Sequence, residues 1–136
     1  MIRPIMRMID FLKQPSEEAT IDDVCISVDL VDTLKAHQSE CVGMAANMIG
    51  ETKRIIAFID AGKYTVMFNP RIVKAENAFH TEEGCLSLIG VRPCKRYKSI
   101  KVEYQNEKMQ KRIKTYKDWT AQIIQHEIDH LEGIII

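Results

Sequence analysis

The chain has 136 residues, and its 19 lysines and arginines balance its 19 aspartates and glutamates, so the formal net charge is zero. This balance gives no electrostatic reason to expect specific nucleic-acid binding or a membrane surface as a partner. The length predicts a single domain over residues 1–136 with one buried core. No apolar run reaches transmembrane length, and the first residues lack the apolar segment of a signal peptide. We therefore expect a cytoplasmic protein, with a monomer as the default state.

The cysteines of such a protein would lie in a reducing compartment. Cysteines there serve as buried apolar groups or metal ligands more often than as disulfides. The chain therefore contains four candidate thiol ligands: Cys25, Cys41, Cys85 and Cys94.

The first long element is predicted to be a helix over about residues 21–38. Thr20 precedes Asp22 and Asp23, which is typical of a helix start, because a hydroxyl can cap free N–H groups and acids stabilise the first turn. Apolar residues then recur at helical spacing, so we expect one face to pack on the core. The residues assigned to that face are Ile21, Val24, Cys25, Val28, Val31 and Leu34.

Extended segments follow this helix. Residues 54–60 and 63–68 are predicted to be two strands joined by a turn at Ala61-Gly62. Asn69-Pro70 is expected to end the second strand, and residues 71–75 resume extended structure.

Residues 99–104 and 111–116 alternate with period two, which predicts a hairpin with one buried and one solvated face. Strands followed by a single helix indicate an α+β fold, with small antiparallel β-sheets around a C-terminal metal-binding helix. The local excess of basic residues is interpreted as solvated strand faces, with a weak anionic docking surface as the alternative. These residues are Lys95, Arg96, Lys98, Lys101, Lys108, Lys111, Arg112, Lys114 and Lys117.

The last helix is predicted to begin near Asp118 and contains the segment Gln125-His126-Glu127-Ile128-Asp129-His130. His126 and His130 are four residues apart, so both imidazoles lie on one face of the helix. Glu127 follows the first histidine and completes an H-E-x-x-H pattern, which indicates two metal ligands and a general base. A coincidental pair of exposed histidines is the alternative.

The third ligand is expected upstream, because only six residues follow His130. A catalytic site with three protein ligands keeps one position open for water, and a Cys-His-His set satisfies that requirement. Cys85 is the favoured candidate, since Gly84 leaves room beside its thiol. Cys25, on the expected core face, and Cys94, without supporting neighbours, have weaker claims, and His80 and several carboxylates remain open.

Four segments together make the chain similar to the peptide deformylase family. The two that carry most weight are the cysteine and histidine motifs, and their order and spacing also fit. The segments are Glu83-Gly84-Cys85-Leu86-Ser87, Gln125-His126-Glu127-Ile128-Asp129-His130, Val42-Gly43-Met44-Ala45-Ala46 and Phe68-Asn69-Pro70-Arg71-Ile72.

The resemblance implies that Cys85, His126 and His130 bind one divalent metal ion, with Fe²⁺ expected and Zn²⁺ or Ni²⁺ as alternatives. It implies a hydrolase that removes the N-formyl group from the initiator methionine of nascent polypeptides. In that reaction a metal-bound water attacks the formyl carbon, Glu127 acts as general base and then acid, and the Leu86 backbone N–H helps to hold the oxyanion.

The resemblance also implies where the partners bind. The substrate is expected to be an N-formylmethionyl peptide and the ribosome a transient contact, whereas no membrane or specific nucleic acid is expected as a partner. Ordinary core packing is the alternative for the residues assigned to the substrate site. These are Val42, Gly43, Met44, Met48, Gly84, Trp119 and Ile123.

The chain departs from the family pattern at three positions. Cys41 replaces a glycine, and Met48 replaces a glutamine whose amide donates to the developing oxyanion in the family. Losing one such donor typically costs about 10²–10³ in kcat, and Asn47 is expected to point elsewhere. A weakly active or inactive metal-binding paralogue is therefore the second hypothesis. Gln122, where the family is usually apolar, motivates a third, a different amide hydrolase.

Overall fold

The computed structural model describes residues 1–85 and 88–135. This part of the chain contains three α-helices, five β-strands and two short 3₁₀ turns, Ile21–Asp23 and Ala46–Ile49, so the predicted α+β class is confirmed. The helices are α1 (Ile9–Leu12), α2 (Val24–Ala36) and α3 (Asp118–Leu131). The strands are β1 (Gly43–Ala45), β2 (Ile55–Asp60), β3 (Lys63–Cys85), β4 (Leu88–Gln105) and β5 (Lys111–Lys117). Among the described residues, no helix combines the length and hydropathy needed to cross a bilayer.

The strands form one antiparallel sheet in the order β1-β2-β3-β4-β5. Ala61 and Gly62 join β2 to β3 with φ angles of 49° and 81°, the left-handed pair that a tight hairpin turn requires. The long strands β3 and β4 pair from Phe68 opposite Gln105 to Cys85 opposite Leu88. Cys85 therefore lies at the far end of β3, opposite the first residue of β4.

Asn69-Pro70 does not end the strand, and that prediction was wrong. The pairing of β3 with β4 shifts register between Phe68 and Arg71, so the strand bends and continues. Asn69 has a φ of 51°, and its side chain satisfies the backbone of Ala19, accepting from its N–H at 2.7 Å and donating to its oxygen at 2.9 Å. These bonds stabilise a conformation that would otherwise interrupt the strand.

Both faces of β2 are covered by helix. Alternate residues of β2 point to opposite faces, so Ile55 packs in the cluster that contains Leu30 of α2, whereas Ile56 packs in the cluster that contains Ile124 of α3. Burial on both faces explains why the first five residues of β2 are all apolar rather than alternating. It also places α3 directly against the central strands.

The predicted core face of α2 was right for three of its six residues. Leu34 is buried, and Val24 and Val31 pack against the same core cluster. Ile21, Cys25 and Val28, in contrast, are exposed. The buried face also includes two polar residues, Ser27 and Thr33. Their hydroxyls donate to backbone oxygens one turn earlier, at 2.6 and 2.8 Å, so their burial leaves no hydroxyl unpaired. The predicted cap holds, because Thr20 and Asp23 form a capping box before α2.

Two buried amides fix α3 in position. The Gln125 side chain accepts from the Tyr97 N–H at 2.8 Å and donates to the Tyr97 oxygen at 2.7 Å, which docks the helix on β4. Near the other end, Asn47 Nδ2 donates to the His130 backbone oxygen at 2.9 Å. The histidines of α3 are therefore carried on a rigid element.

Candidate metal centre

Three side chains converge between β3 and α3. The thiol of Cys85 and the ring nitrogens of His126 and His130 lie within 4.8 Å of one another. The two Nε2 atoms are 2.9 Å apart, as expected for imidazoles one helical turn apart that point at the same position. Within the described ranges, 1–85 and 88–135, no other group of three such side chains is brought together in this way. Of the upstream candidates, it is Cys85 that reaches the histidines.

Glu83 orients the first histidine. Its Oε1 lies 2.7 Å from His126 Nδ1, so Nδ1–H donates to the carboxylate and Nε2 is the ring nitrogen left to face His130 and a metal ion. Burial alone would raise the pKa of Glu83, but hydrogen bonds from His126, Arg96 and Gln122 outweigh burial and lower the pKa to about 2. Glu83 therefore remains ionised.

Arg96 forms a salt bridge with the Glu83 carboxylate. Its guanidinium donates to Glu83 at 2.7 Å and to Asp129 at 2.6 Å, and its side chain is only 4% exposed. The prediction that Arg96 belongs to a solvated basic face was therefore wrong. Asp129 pairs with Arg96 rather than being a free surface acid, so α3 and β4 are joined through charges next to the candidate metal ligands.

The electrostatics around the histidines suit one cation between them. Burial opposes a charge on His126, but hydrogen bonds with Cys85 and Glu83 outweigh it and raise its pKa to about 10. Burial and the neighbouring His126 lower the pKa of His130 to about 3. Two facing ring nitrogens and one thiol are the donor set of a catalytic zinc or iron site. Three protein ligands leave the fourth coordination position open for water or substrate. The residues present therefore fit a divalent metal ion.

Glu127 is buried beside this cluster. Its Oε1 has no hydrogen-bond partner among the described residues, and burial raises its pKa to about 7. A Cβ at Gly43 would lie 2.9 Å from Glu127 Oε2 and 2.7 Å from Ile123 Cγ2. The glycine of β1 therefore makes the room that Glu127 occupies. A carboxyl with a pKa near neutrality, in a cavity beside metal ligands, can accept a proton and return it.

The cluster opens into a cavity of about 650 Å³. Most residues assigned to the substrate site from the sequence line this cavity together with Cys85, His126 and Glu127; they are Val42, Gly43, Met48, Gly84, Trp119 and Ile123. Met44 does not; it is fully buried in the cluster beneath α2, because successive residues of β1 point to opposite faces. Leu86, assigned to the oxyanion through its N–H, lies outside the described residues.

Some residues of the site were missed in the sequence. Glu83 could have been found, since it stands two residues before Cys85 on a strand and so shares its face. Gln38, Ser39 and Glu40 line the cavity from the turn after α2, but no motif marks them.

Met48 occupies the position where the family pattern has a glutamine that donates to the oxyanion. Its side chain is 2% exposed and lines the cavity, where its thioether cannot donate a hydrogen bond. Asn47 points elsewhere, as predicted, because its amide nitrogen donates to His130 O. Neither residue supplies a side-chain donor to the cavity.

Comparison with known proteins agrees with this geometry. The model of the family described as Polypeptide deformylase matches residues 2–136. A peptide deformylase from Clostridium beijerinckii is 52% identical over 136 residues, which cover the whole of both chains. Another, from Pseudothermotoga lettingae, is 35% identical, with 97% of this chain and 75% of that protein aligned. The crystal structure of peptide deformylase from Thermus thermophilus matches with a TM-score of 0.89 at 30% identity, covering 99% of this chain and 84% of the other. The chain belongs to the peptide deformylase family.

Proposed function

We propose that this protein removes the formyl group from N-formylmethionyl peptides in a metal-dependent hydrolysis. The observation that carries the proposal is the convergence of Cys85, His126 and His130 beside the buried carboxyl of Glu127. Membership of the peptide deformylase family supports the same reaction. Cytoplasmic location, a monomeric state and a transient contact with the ribosome, where new N-termini emerge, complete the proposal.

Cys85, His126 and His130 would hold the metal ion. Fe²⁺ is the ion we propose, and the mixed sulfur and nitrogen donor set also suits Zn²⁺ or Ni²⁺. Such an ion, when bound, would acidify a water molecule and polarise the formyl oxygen. Glu83 keeps His126 in the tautomer that binds metal through Nε2, and Arg96 holds Glu83 in place.

Glu127 would move the proton. With a pKa of about 7 it is substantially ionised at neutral pH, so it can take a proton from the attacking water. Water oxygen bonds to the formyl carbon, the carbon–nitrogen bond breaks, and Glu127 delivers the proton to the leaving amine. Formate and a free amino terminus are the products. The Leu86 backbone N–H is the proposed protein donor to the oxyanion.

The test is formate release from formyl-Met-Ala-Ser by protein loaded with Fe²⁺ or Ni²⁺. We expect Glu127→Gln to lower kcat by at least about 10²-fold, since a carboxamide of nearly the same shape cannot accept the proton. The matched control is Glu107→Gln, in the exposed turn between β4 and β5, which should leave kcat unchanged. Formate release by the wild type no faster than by Glu127→Gln would overturn the proposal.

A weakly active, metal-binding paralogue is the second candidate. Met48 at the cavity wall favours it, because the oxyanion then lacks the amide donor that the family pattern provides. About one metal ion per chain without formate release would support this candidate over the first.

A further inference from the structure

Gln122 gives the wall of the cavity an unusual polar group. It shares a helix face with Trp119 and His126, three residues before and four after it, and it lines the cavity with both. By the family resemblance this position is usually apolar. The side chain is half-buried, so its hydrogen-bonding groups are partly shielded from bulk water.

The orientation of the Gln122 amide is determined by its neighbour. Nε2 lies 2.8 Å from Oε2 of Glu83, and a carboxylate only accepts hydrogen bonds, so the nitrogen must face Glu83. Glu83 is held in turn by His126 and Arg96. The amide therefore cannot flip without losing this bond, and its oxygen Oε1 must point away from Glu83.

One hydrogen-bond acceptor and one donor of the Gln122 amide have no partner among the described residues. Among the described residues, Oε1 has no hydrogen-bond partner, and the second N–H of Nε2 has none beyond Glu83. Ile123, the next residue on the cavity wall, offers no polar atom in its side chain. A methionine thioether would pair poorly with these groups, whereas a side-chain amide could donate to Oε1 and accept from the N–H.

We propose that Gln122 is a specificity-determining residue that lets the cavity take N-formyl peptides whose first side chain ends in a hydrogen-bonding group. Glutamine is the closest match, because its side chain is as long as that of methionine and carries both a donor and an acceptor at its end. This inference rests on the proposed deformylation, and it gives that reaction a broader range of first residues.

The test compares formyl-Gln-Ala-Ser with formyl-norleucyl-Ala-Ser, whose first side chain has the length of methionine without any polar atom. For each metal-loaded protein the ratio of the two kcat/KM values is measured, so that differences in folding or metal loading cancel. We expect the ratio to fall about tenfold or more from wild type to Gln122→Leu, the effect of one hydrogen bond in a shielded site. Gln110→Leu, the same change in the exposed turn before β5, should leave the ratio unchanged.

Binding provides a second readout that needs no turnover. The dissociation constants of the two peptides for Glu127→Gln, with and without Gln122→Leu, should change in the same ratio when measured by calorimetry. A ratio within twofold of wild type in the Gln122→Leu proteins would overturn the inference, while formate release from formyl-Met-Ala-Ser would leave the proposed function standing. If the wild type releases no formate but the binding ratio responds to Gln122→Leu, the proposed function fails and the specificity assignment survives.

Discussion

Met48 is the departure from the family pattern that we expect to affect the proposed reaction most. Deformylation places negative charge on the formyl oxygen, and charge that develops in a shielded cavity is stabilised by donors already in place. Met48 offers none, and the amide of Asn47 is engaged with His130 O. The reaction would then rely on the metal ion and on backbone N–H groups.

We expect Met48→Gln to raise kcat for formyl-Met-Ala-Ser by about 10²–10³-fold, the effect of one oxyanion donor. Steady-state formate release with matched metal content measures it. Met48→Leu, which changes the shape but adds no donor, should produce no such rise. An unchanged kcat in Met48→Gln would mean that the oxyanion is already fully stabilised without this side chain.

Single residues also show how far sequence reasoning reaches. The pairing of His126 with His130 follows from helical spacing alone, and Glu83 could have been placed beside Cys85 from strand alternation. Arg96 could not, because its burial depends on Glu83 and Asp129 lying across two other elements. A charged residue in a basic run is normally solvated, and only the tertiary fold brings these two acids to it.

Among the elements, the positions of both α2 and α3 were predicted, but the buried face of α2 was predicted only in part. The apolar residues of α3 and its histidines share one pattern, so its start at Asp118 was recognisable. In α2 the buried face includes Ser27 and Thr33, whose hydroxyls bond to the backbone of their own helix. A count of apolar residues therefore assigns the exposed Cys25 and Val28 to the core and omits these two hydroxyl residues. The prediction that Asn69-Pro70 ends the strand failed for a related reason. Hydrogen bonds from the Asn69 side chain to the Ala19 backbone stabilise the bend, so the strand continues.

The end of α3 depends on Gly133. Its φ is +76°, and a Cβ there would lie 2.2 Å from the Lys13 backbone oxygen. We expect Gly133→Ala to lower the free energy of unfolding by about 3 kcal/mol or more, since left-handed strain adds to a backbone clash. Gly62→Ala is the matched control: its φ is +81°, but nothing lies within 4 Å of the added Cβ. It should cost only about 1 kcal/mol.

Urea denaturation of both variants measures this difference. Equal losses of free energy would mean that the segment around Lys13 moves aside at little cost, so that the contact with α1 does not constrain the helix end.

At the scale of the whole molecule, the candidate site lies where separate layers meet. Cys85 comes from the end of the sheet, the histidines and Glu127 come from α3, and Gly43 of β1 gives Glu127 its room. The helix is held on the sheet by Gln125 and Arg96, so the ligands are brought together by folding itself. A metal ion bound by β3 and α3 together would bind the folded chain and not the unfolded one.

Metal loading should therefore stabilise the whole fold. An ion at one hundred times its dissociation constant adds about 2.7 kcal/mol, which for a domain of this size raises Tm by roughly 10 °C. Differential scanning calorimetry of metal-free and Ni²⁺-loaded protein measures the shift. Cys85→Ser, which replaces a thiolate ligand with a poor one, should lose most of it, whereas Cys25→Ser, at an exposed position of α2, should retain it. An equal rise in both variants would mean that the stabilising ion binds away from Cys85.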